Sequence, residues 1–437
     1  MKFAWKYLPM VLSWFWLVRA SATPAIIITN LPAYGSSNNL GGLVLDANPA
    51  TCAVAVFIYV PGYGWVTKPN CAQALTPVLP DGSWTADVTT GGSDQLATRL
   101  AALLVSTNYN QACVDGSNAL PVNVYAQAAA SAVVTREYPG VHWLSFSGYL
   151  WRLKSSSGLV GPGPNYFSDS TNNVWVDAQG ELHLRLTNRS NQWQCAELVS
   201  ARTFGYGSYR IELDARVDNL DPNVVLGLFT WSDDPAYSDR EIDIECSRWG
   251  NAGDLKNAQF VVQPSDTAGH LARFAVPTGL TNSTLLFTWE TNRVSFQGQR
   301  GSYSAAPAPA NVISNWTYTL TPPKTGDENF RFNLWLFRGS APTDKKEVEV
   351  IIKSFQFVPL GTPQAAVLTN FSRPSPGQVS FTLNGCQPDR RYEVHASTNV
   401  VEWQSLSTLL ATNTTIGFSD TNSTALGERF YRAVTLR

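Results

Sequence analysis

The chain has 437 residues, 44 % of them hydrophobic, which is room for two to four domains with real cores and excludes wholesale disorder. Thirty-one Lys and Arg stand against thirty-three Asp and Glu, a net charge of −2 with only 15 % charged residues, so there is no basic field to hold a nucleic-acid backbone. Thirty-one Gly, twenty-six Pro and 12 % aromatics, including fifteen Trp, describe strands and turns and point to an all-β protein. Flat aromatic rings also suit the apolar faces of pyranoses.

Residues 1–22 carry Lys2 and Lys6, an apolar stretch over 8–18 and the small residues Ala20, Ser21 and Ala22, the pattern of a signal peptide cleaved near Ala22. The apolar stretch is roughly a dozen residues where about 20 are needed to span a bilayer, so the expectation is a secreted protein with no membrane span after cleavage. A β-rich module follows over 25–136, with AVAVFIYV (53–60) as a strand and a helix predicted over 94–105, where Leu96, Leu100, Leu103 and Leu104 share one face. Trp65 and Trp84 give this module the look of a carbohydrate-binding domain, and an inert spacer fits equally. The bulk of the protein, 140–359, holds the strongest strand signals: ELHLRL (181–186), SYRIELDARV (208–217), REIDIEC (240–246) and EVEVIIKSFQFV (347–358). A linker at 360–364 leads to a third β module over 364–437, with RYEVHAS (391–397) and RFYRAV (429–434).

Six cysteines show no zinc spacing, and the four histidines are scattered, so no metal site is expected. Cys52, Cys71 and Cys113 compete for one disulfide whose connectivity the sequence leaves open. The sequence Gly205-Tyr-Gly-Ser-Tyr-Arg210 begins like a dinucleotide fingerprint, but Arg stands where the third Gly belongs and a strand follows, which excludes a nucleotide site.

The most informative stretch is Glu241-Ile-Asp243-Ile-Glu245. In a strand these three carboxylates share one face while the two isoleucines enter a core on the other. Glycoside hydrolysis needs one carboxylate to attack the anomeric carbon and one acid, still protonated, to donate to the leaving oxygen. Crowded acids supply both states, because mutual repulsion raises the pKa of at least one. The outer Cα atoms of such a strand lie roughly 13 Å apart, while a retaining pair needs its carboxyls about 5–5.5 Å apart, so the two Glu must lean inward on a concave sheet.

The surroundings extend the motif. CAELVSARTFGYGSYR (195–210), GLFTW (227–231), REIDIE (240–245), QFVV (259–262), FTW (287–289) and NLW (333–335) follow in an order and spacing that resemble glycoside hydrolase family 16, closest to its bacterial lichenases, over about residues 140–359. The resemblance implies a central β-jelly roll of two curved antiparallel sheets, flanked here by smaller β-sandwich domains. It implies a polysaccharide substrate bound on the concave side, and Glu241 as nucleophile, Asp243 as its electrostatic partner and Glu245 as general acid/base. The motif lacks the extra residue before the last Glu that laminarinase, agarase and carrageenase branches carry, which steers toward mixed-linkage or xyloglucan-like β-glucans.

Substrate-binding positions carried over are Glu197, Tyr206, Trp231, Gln259, Trp335 and Asn165, with Asn333 helping to hold the site; Phe287 and Trp289 are expected in the core. Arg240 stands where lichenases have Asp, and Val261 where they have Asn. Arg240 is therefore expected beside the cleft, closing part of it or lowering a carboxylate pKa. A free Cys195 is expected. No cofactor is required; the family carries a structural Ca²⁺ on the convex side, and no acidic loop marks one here. The function expected is a secreted endo-acting, retaining glycoside hydrolase. The alternatives are a transglycosylase, or a non-catalytic carbohydrate-binding protein on the same fold.

Overall fold

Alternating and continuous apolar runs produce an almost entirely stranded molecule. The computed structural model describes residues 24–360, 366–375, 377–386, 391–411, 414–421 and 429–436; the leader predicted over 1–22 lies outside them. Two compact units divide the described chain, one over 24–360 and one from 361 onward. No described helix is long and apolar enough to cross a membrane.

The larger unit begins with two antiparallel sheets. One joins Ala25–Asn30, Leu40–Leu45 and Ser83–Ala86; the other is built around Cys52–Val60, flanked by Gly64–Lys68 and Arg99–Ser106, with Ala130–Thr135 at its edge. The helix expected over 94–105 is not formed: a short 3-10 turn at Asp94–Leu96 leads into the strand Arg99–Ser106. Leu100, Leu103 and Leu104 are all buried, because this central strand is covered on both faces and its apolar run need not alternate. One short helix, Val122–Gln127, packs Val124 and Tyr125 inward. Trp65 and Trp84, the aromatics that suggested a sugar platform, are 3 % and 1 % exposed and belong to the core. The disulfide joins Cys71 to Cys113, leaving Cys52 buried and free. The antiparallel pairing of Gly64–Lys68 with Asp115–Ser117 brings those two cysteines together.

Residues 143–359 form the jelly roll. One sheet runs in the order Leu271–Phe274, Ala258–Val262, Ile242–Cys246, Val224–Trp231, Asn329–Leu336, Gln192–Ser200. The other includes Val348–Pro359, Gly207–Asp214, Asn282–Trp289, Val294–Arg300 and Val312–Tyr318. Leu182–Arg189 belongs to both: Leu182 to Leu186 pair with Val348–Pro359, whereas Thr187 to Arg189 turn back on the first sheet. Between the sheets lies an aromatic core with Trp151, Tyr209, Phe260, Phe287, Trp289 and Phe330 fully buried. Much of the aromatic content that hinted at sugar binding therefore packs this interior.

The smaller unit pairs Val379–Asn384 with Val367–Ser372 and Thr415–Asp420, and Arg391–Ser397 with Gln404–Leu410 and Phe430–Leu436, around Phe381, Leu383, Tyr392 and Val394.

Candidate active site

The strand Ile242–Cys246 runs between Val224–Trp231 and Ala258–Val262 in the first sheet. Strand alternation sends Ile242, Ile244 and Cys246 into the core at zero exposure and turns Asp243 and Glu245 to the opposite face. Glu241 precedes the strand, its carbonyl accepting from Gln263 N at 3.1 Å. Register then builds two rows across five strands. At one level stand Gln259, Glu245, Gly227, Asn333 and Glu197; at the next, Val261, Asp243, Phe229, Arg331 and Val199. Gly227 is required by closeness: a Cβ there would meet Asn333 Oδ1 at 2.4 Å, so its absence lets the Asn side chain lie over the strand beside Glu245.

A cavity of about 400 Å³ opens over these rows, lined by Glu241, Asp243, Glu245, Glu197, Arg331 and Asn333, with Phe229, Trp231 and Trp335 among its aromatic walls. Lys154, Gly161, Pro162 and Asp233 complete its rim. Glu197 is 1 % exposed: Lys154 Nζ donates to its Oε2 at 3.0 Å, and Arg331 Nη1 lies 3.3 Å from its Oε1. Arg331 also reaches Asp233 at 2.6 Å. Glu197 is thus a charge-locked wall of the cavity. Asn333 Oδ1 and Arg331 Nε are buried without a hydrogen-bond partner, two polar atoms left for a ligand's hydroxyls.

The acids titrate as a group. Burial, and then the charge of Glu245, pushes Glu241 up to about 8. Burial, Glu241 and Glu245 hold Asp243 well above the usual carboxylate range. Burial pushes Glu245 up to about 7, against the hydrogen bond from Gln259 and the charge of Arg273. Gln259 Nε2 donates to Glu245 Oε2 at 2.7 Å, and Gln263 Nε2 to Asp243 Oδ2 at 3.0 Å. Asp243 and Glu241 share a side-chain hydrogen bond that favours the proton on Asp243 and the charge on Glu241.

Of the residues singled out in the sequence, Glu241, Asp243, Glu245, Glu197, Trp231 and Trp335 line the cavity, and Gln259 touches it through Glu245. Three do not. Asn165 is buried beneath the rim, its Nδ2 donating to the carbonyls of Pro162 and Leu336 at 2.8 and 2.9 Å, so it pins the loop whose Gly161 and Pro162 reach the cavity. Tyr206 sits between Gly205 and Gly207, both at positive φ, and packs edge-on against Trp289 at 5.5 Å. Arg240 has the parity of Ile242 and Ile244, is 5 % exposed, and turns away from the acids onto Asp327. It neither closes the cleft nor pairs with one of the three carboxyls of the row. Lys154, Arg331 and Gln263 were not anticipated. Arg331 was within reach of strand alternation, two positions before Asn333 and four before Trp335; Lys154 and Gln263 lie outside any such pattern. Cys195 is free and fully buried. Among the described residues no three His, Cys, Asp or Glu side chains group so as to hold a metal ion.

Fold and site together define an all-β jelly roll with a carboxylate-floored cavity on one sheet. No family model matches the chain, and no curated protein does. Among solved structures, the Bacillus licheniformis β-glucanase is similar over 51 % of this chain and 99 % of its own, at 22 % identity and a TM-score of 0.38. A prokaryotic β-1,3-1,4-glucanase (lichenase) from a mouse hindgut metagenome matches 49 % of this chain and 95 % of its own, at 18 % identity and a TM-score of 0.37. A Mycobacterium tuberculosis protein described as a pseudo β-1,3-glucanase matches 46 % and 88 %, at 20 % identity and a TM-score of 0.37.

Proposed function

We propose that the protein is a secreted, endo-acting glycoside hydrolase that cleaves internal β-glycosidic bonds of a β-glucan-like polysaccharide with retention of configuration. The observation that carries this is the row Glu241, Asp243, Glu245 on the cavity floor, Asp243 buried and the two Glu half-buried, with all three pKa values raised. Between the first and last ionisation the cavity holds a carboxylate and a carboxylic acid together, the two states a glycosidase needs. With Glu245 at about 7 and Glu241 at about 8, the reacting form, Glu241 charged and Glu245 protonated, is the minor one of the singly ionised pair; the proton that Asp243 donates in a hydrogen bond to Glu241, and the charge of Arg331, favour it.

Glu241 then attacks the anomeric carbon while Glu245 gives its proton to the departing oxygen, leaving a glycosyl ester on Glu241. Glu245, now a carboxylate, takes a proton from water; that water's oxygen bonds to the anomeric carbon, the ester breaks, and Glu241 returns as carboxylate with Glu245 reprotonated. Gln259 and Gln263 hold the acid and the assisting Asp in place. Trp231 and Trp335 give the cavity apolar aromatic wall, and Asn333 Oδ1 and Arg331 Nε offer hydrogen bonds.

The test is reducing-end release from mixed-linkage glucan, xyloglucan, laminarin, agarose and carrageenan, by wild type and by Glu241→Gln. The expected outcome is activity on at least one β-glucan that falls by roughly three orders of magnitude or more in the variant. Glycan binding with no cleavage on any of the five would replace this reading with a carbohydrate-binding one. The anomer first released, read by NMR, checks retention.

A further inference from the structure

Arg240, the residue before Glu241, is held by groups from two modules. Its Nε donates to the Lys324 carbonyl and its Nη1 to Asp327 Oδ1, each at 3.0 Å. Its guanidinium lies 3.7 Å from the Tyr237 ring centre and 4.8 Å from that of Tyr125, and the two rings meet edge-on at 5.6 Å. Tyr125 belongs to the N-terminal helix Val122–Gln127. The same module sends Arg99 to Asp327 Oδ2 at 3.5 Å and the Ser131 hydroxyl to the Gly326 carbonyl at 3.1 Å. Its edge strand Ala130–Thr135 is stitched to residues 201–203 by Val133 N to Thr203 Oγ1 at 2.8 Å, Thr203 N to Val133 O at 2.7 Å, and Thr135 N to Ala201 O.

Both ends of this cluster lead into the cavity. The Arg240 carbonyl accepts from Thr230 Oγ1 at 2.8 Å, and Thr230 Oγ1 accepts from Ile242 N at 3.0 Å, so the backbone on either side of Glu241 is tied to the strand that ends in Trp231. Asp327, which also accepts from Ser232 at 2.7 Å, lies just before the strand Asn329–Leu336 that carries Arg331, Asn333 and Trp335. Gly326 leaves the guanidinium its place: a Cβ there would lie 2.1 Å from Arg240 Nη1.

We propose that the N-terminal module is a positioning part of the active site, which through Tyr125, Arg99 and Ser131 fixes Arg240 and Asp327 and so sets where Glu241 and Arg331 stand in the cavity. This rests on Glu241 being the nucleophile. The step demands such control, because a displacement of about 1 Å at a reacting group costs about 100-fold in rate.

The experiment uses the full chain carrying Arg99→Ala with Tyr125→Ala, or Gly326→Ala, or Tyr125→Phe, beside Tyr63→Ala, an exposed ring elsewhere on the module. Three quantities are read: kcat and KM on barley mixed-linkage β-glucan, and the titration midpoint of the Glu241 carboxyl by ¹³C NMR, assigned with Glu241→Gln. The first two variants should lower kcat about 10- to 100-fold with KM within about twofold, and move the midpoint by about half a pH unit or more. Tyr125→Phe keeps the ring and loses only a hydroxyl that has no partner, so it and Tyr63→Ala should match wild type. Folded variants with unmoved kcat and midpoint would overturn the proposal, as would a Phe variant as impaired as the Ala pair. Should the double variant not fold, Arg99→Ala and Ser131→Ala, each alone, decide from within the N-terminal module, with a fall in kcat and a moved midpoint expected and unchanged values overturning the proposal. If wild type turns over no glucan, a moved midpoint keeps the coupling and removes only the hydrolase reading.

Discussion

Arg240 and Glu241 are neighbours in the chain, yet each belongs to a polar cluster of opposite construction. On the cavity side, Glu241, Asp243 and Glu245 bring like charges together in a buried place, and the result is raised pKa values. On the far side, Arg240 and Arg99 meet Asp327, so that charge is cancelled where it is buried. The first arrangement costs stability and holds protons near neutral pH, the pattern in which perturbed carboxyls mark a candidate functional site. The second costs desolvation and gains a fixed geometry, which a buried ion pair provides more dependably than it provides net stability. The shared backbone means that the rigid cluster supports the frustrated one.

The contrast can be broken from either side. Arg240→Ala should cost about 3–5 kcal/mol, because it leaves the buried Asp327 with only Arg99 at 3.5 Å and takes from the buried Glu328 the positive charge beside it; urea unfolding measures it, and a loss under about 1 kcal/mol would mean the cluster is not a support. Glu241→Gln should act with the opposite sign. The folded pKa of Glu241, about 8, lies above its ordinary 4.5, so the wild type has its full stability below about pH 4.5 and loses part of it as pH rises toward 8. The variant escapes that loss and should be more stable by on the order of 1–3 kcal/mol at pH 8–9, and nearly equal to wild type at pH 4. Equal melting temperatures across that range would count against mutual repulsion in the cavity. The mildest effect sharpens the assignment of the acid: the reacting form needs Glu245, at about 7, still protonated and Glu241, at about 8, already charged, so kcat/KM should be level between about pH 7 and 8 and fall about tenfold per pH unit above about pH 8. Flat activity up to pH 9 would remove Glu245 from that role.

Strand alternation made the acid row legible, since three acids and two isoleucines in one pentapeptide admit one arrangement when one face is a core. The same parity places Arg240 with the isoleucines, so expecting it beside the cleft gave chain proximity to Glu241 more weight than side-chain direction. Tyr206 lies in a turn between two glycines of positive φ, where no period fixes a direction. The leucines at 100, 103 and 104 fit a helical stripe and a doubly covered strand equally well, and only the neighbours Cys52–Val60 and Ala130–Thr135 distinguish them. The pairing of Cys71 with Cys113 depends on which strands lie side by side, and the contact of Tyr125 with Arg240 on how two modules meet. Neither has a local signal.

Gly326 and Arg240 lie 86 positions apart in the sequence, yet a side-chain carbon at one occupies the space of the other's guanidinium. While the guanidinium holds this place, position 326 has room for glycine alone, and a side chain there would push the arginine off Asp327 into another pose.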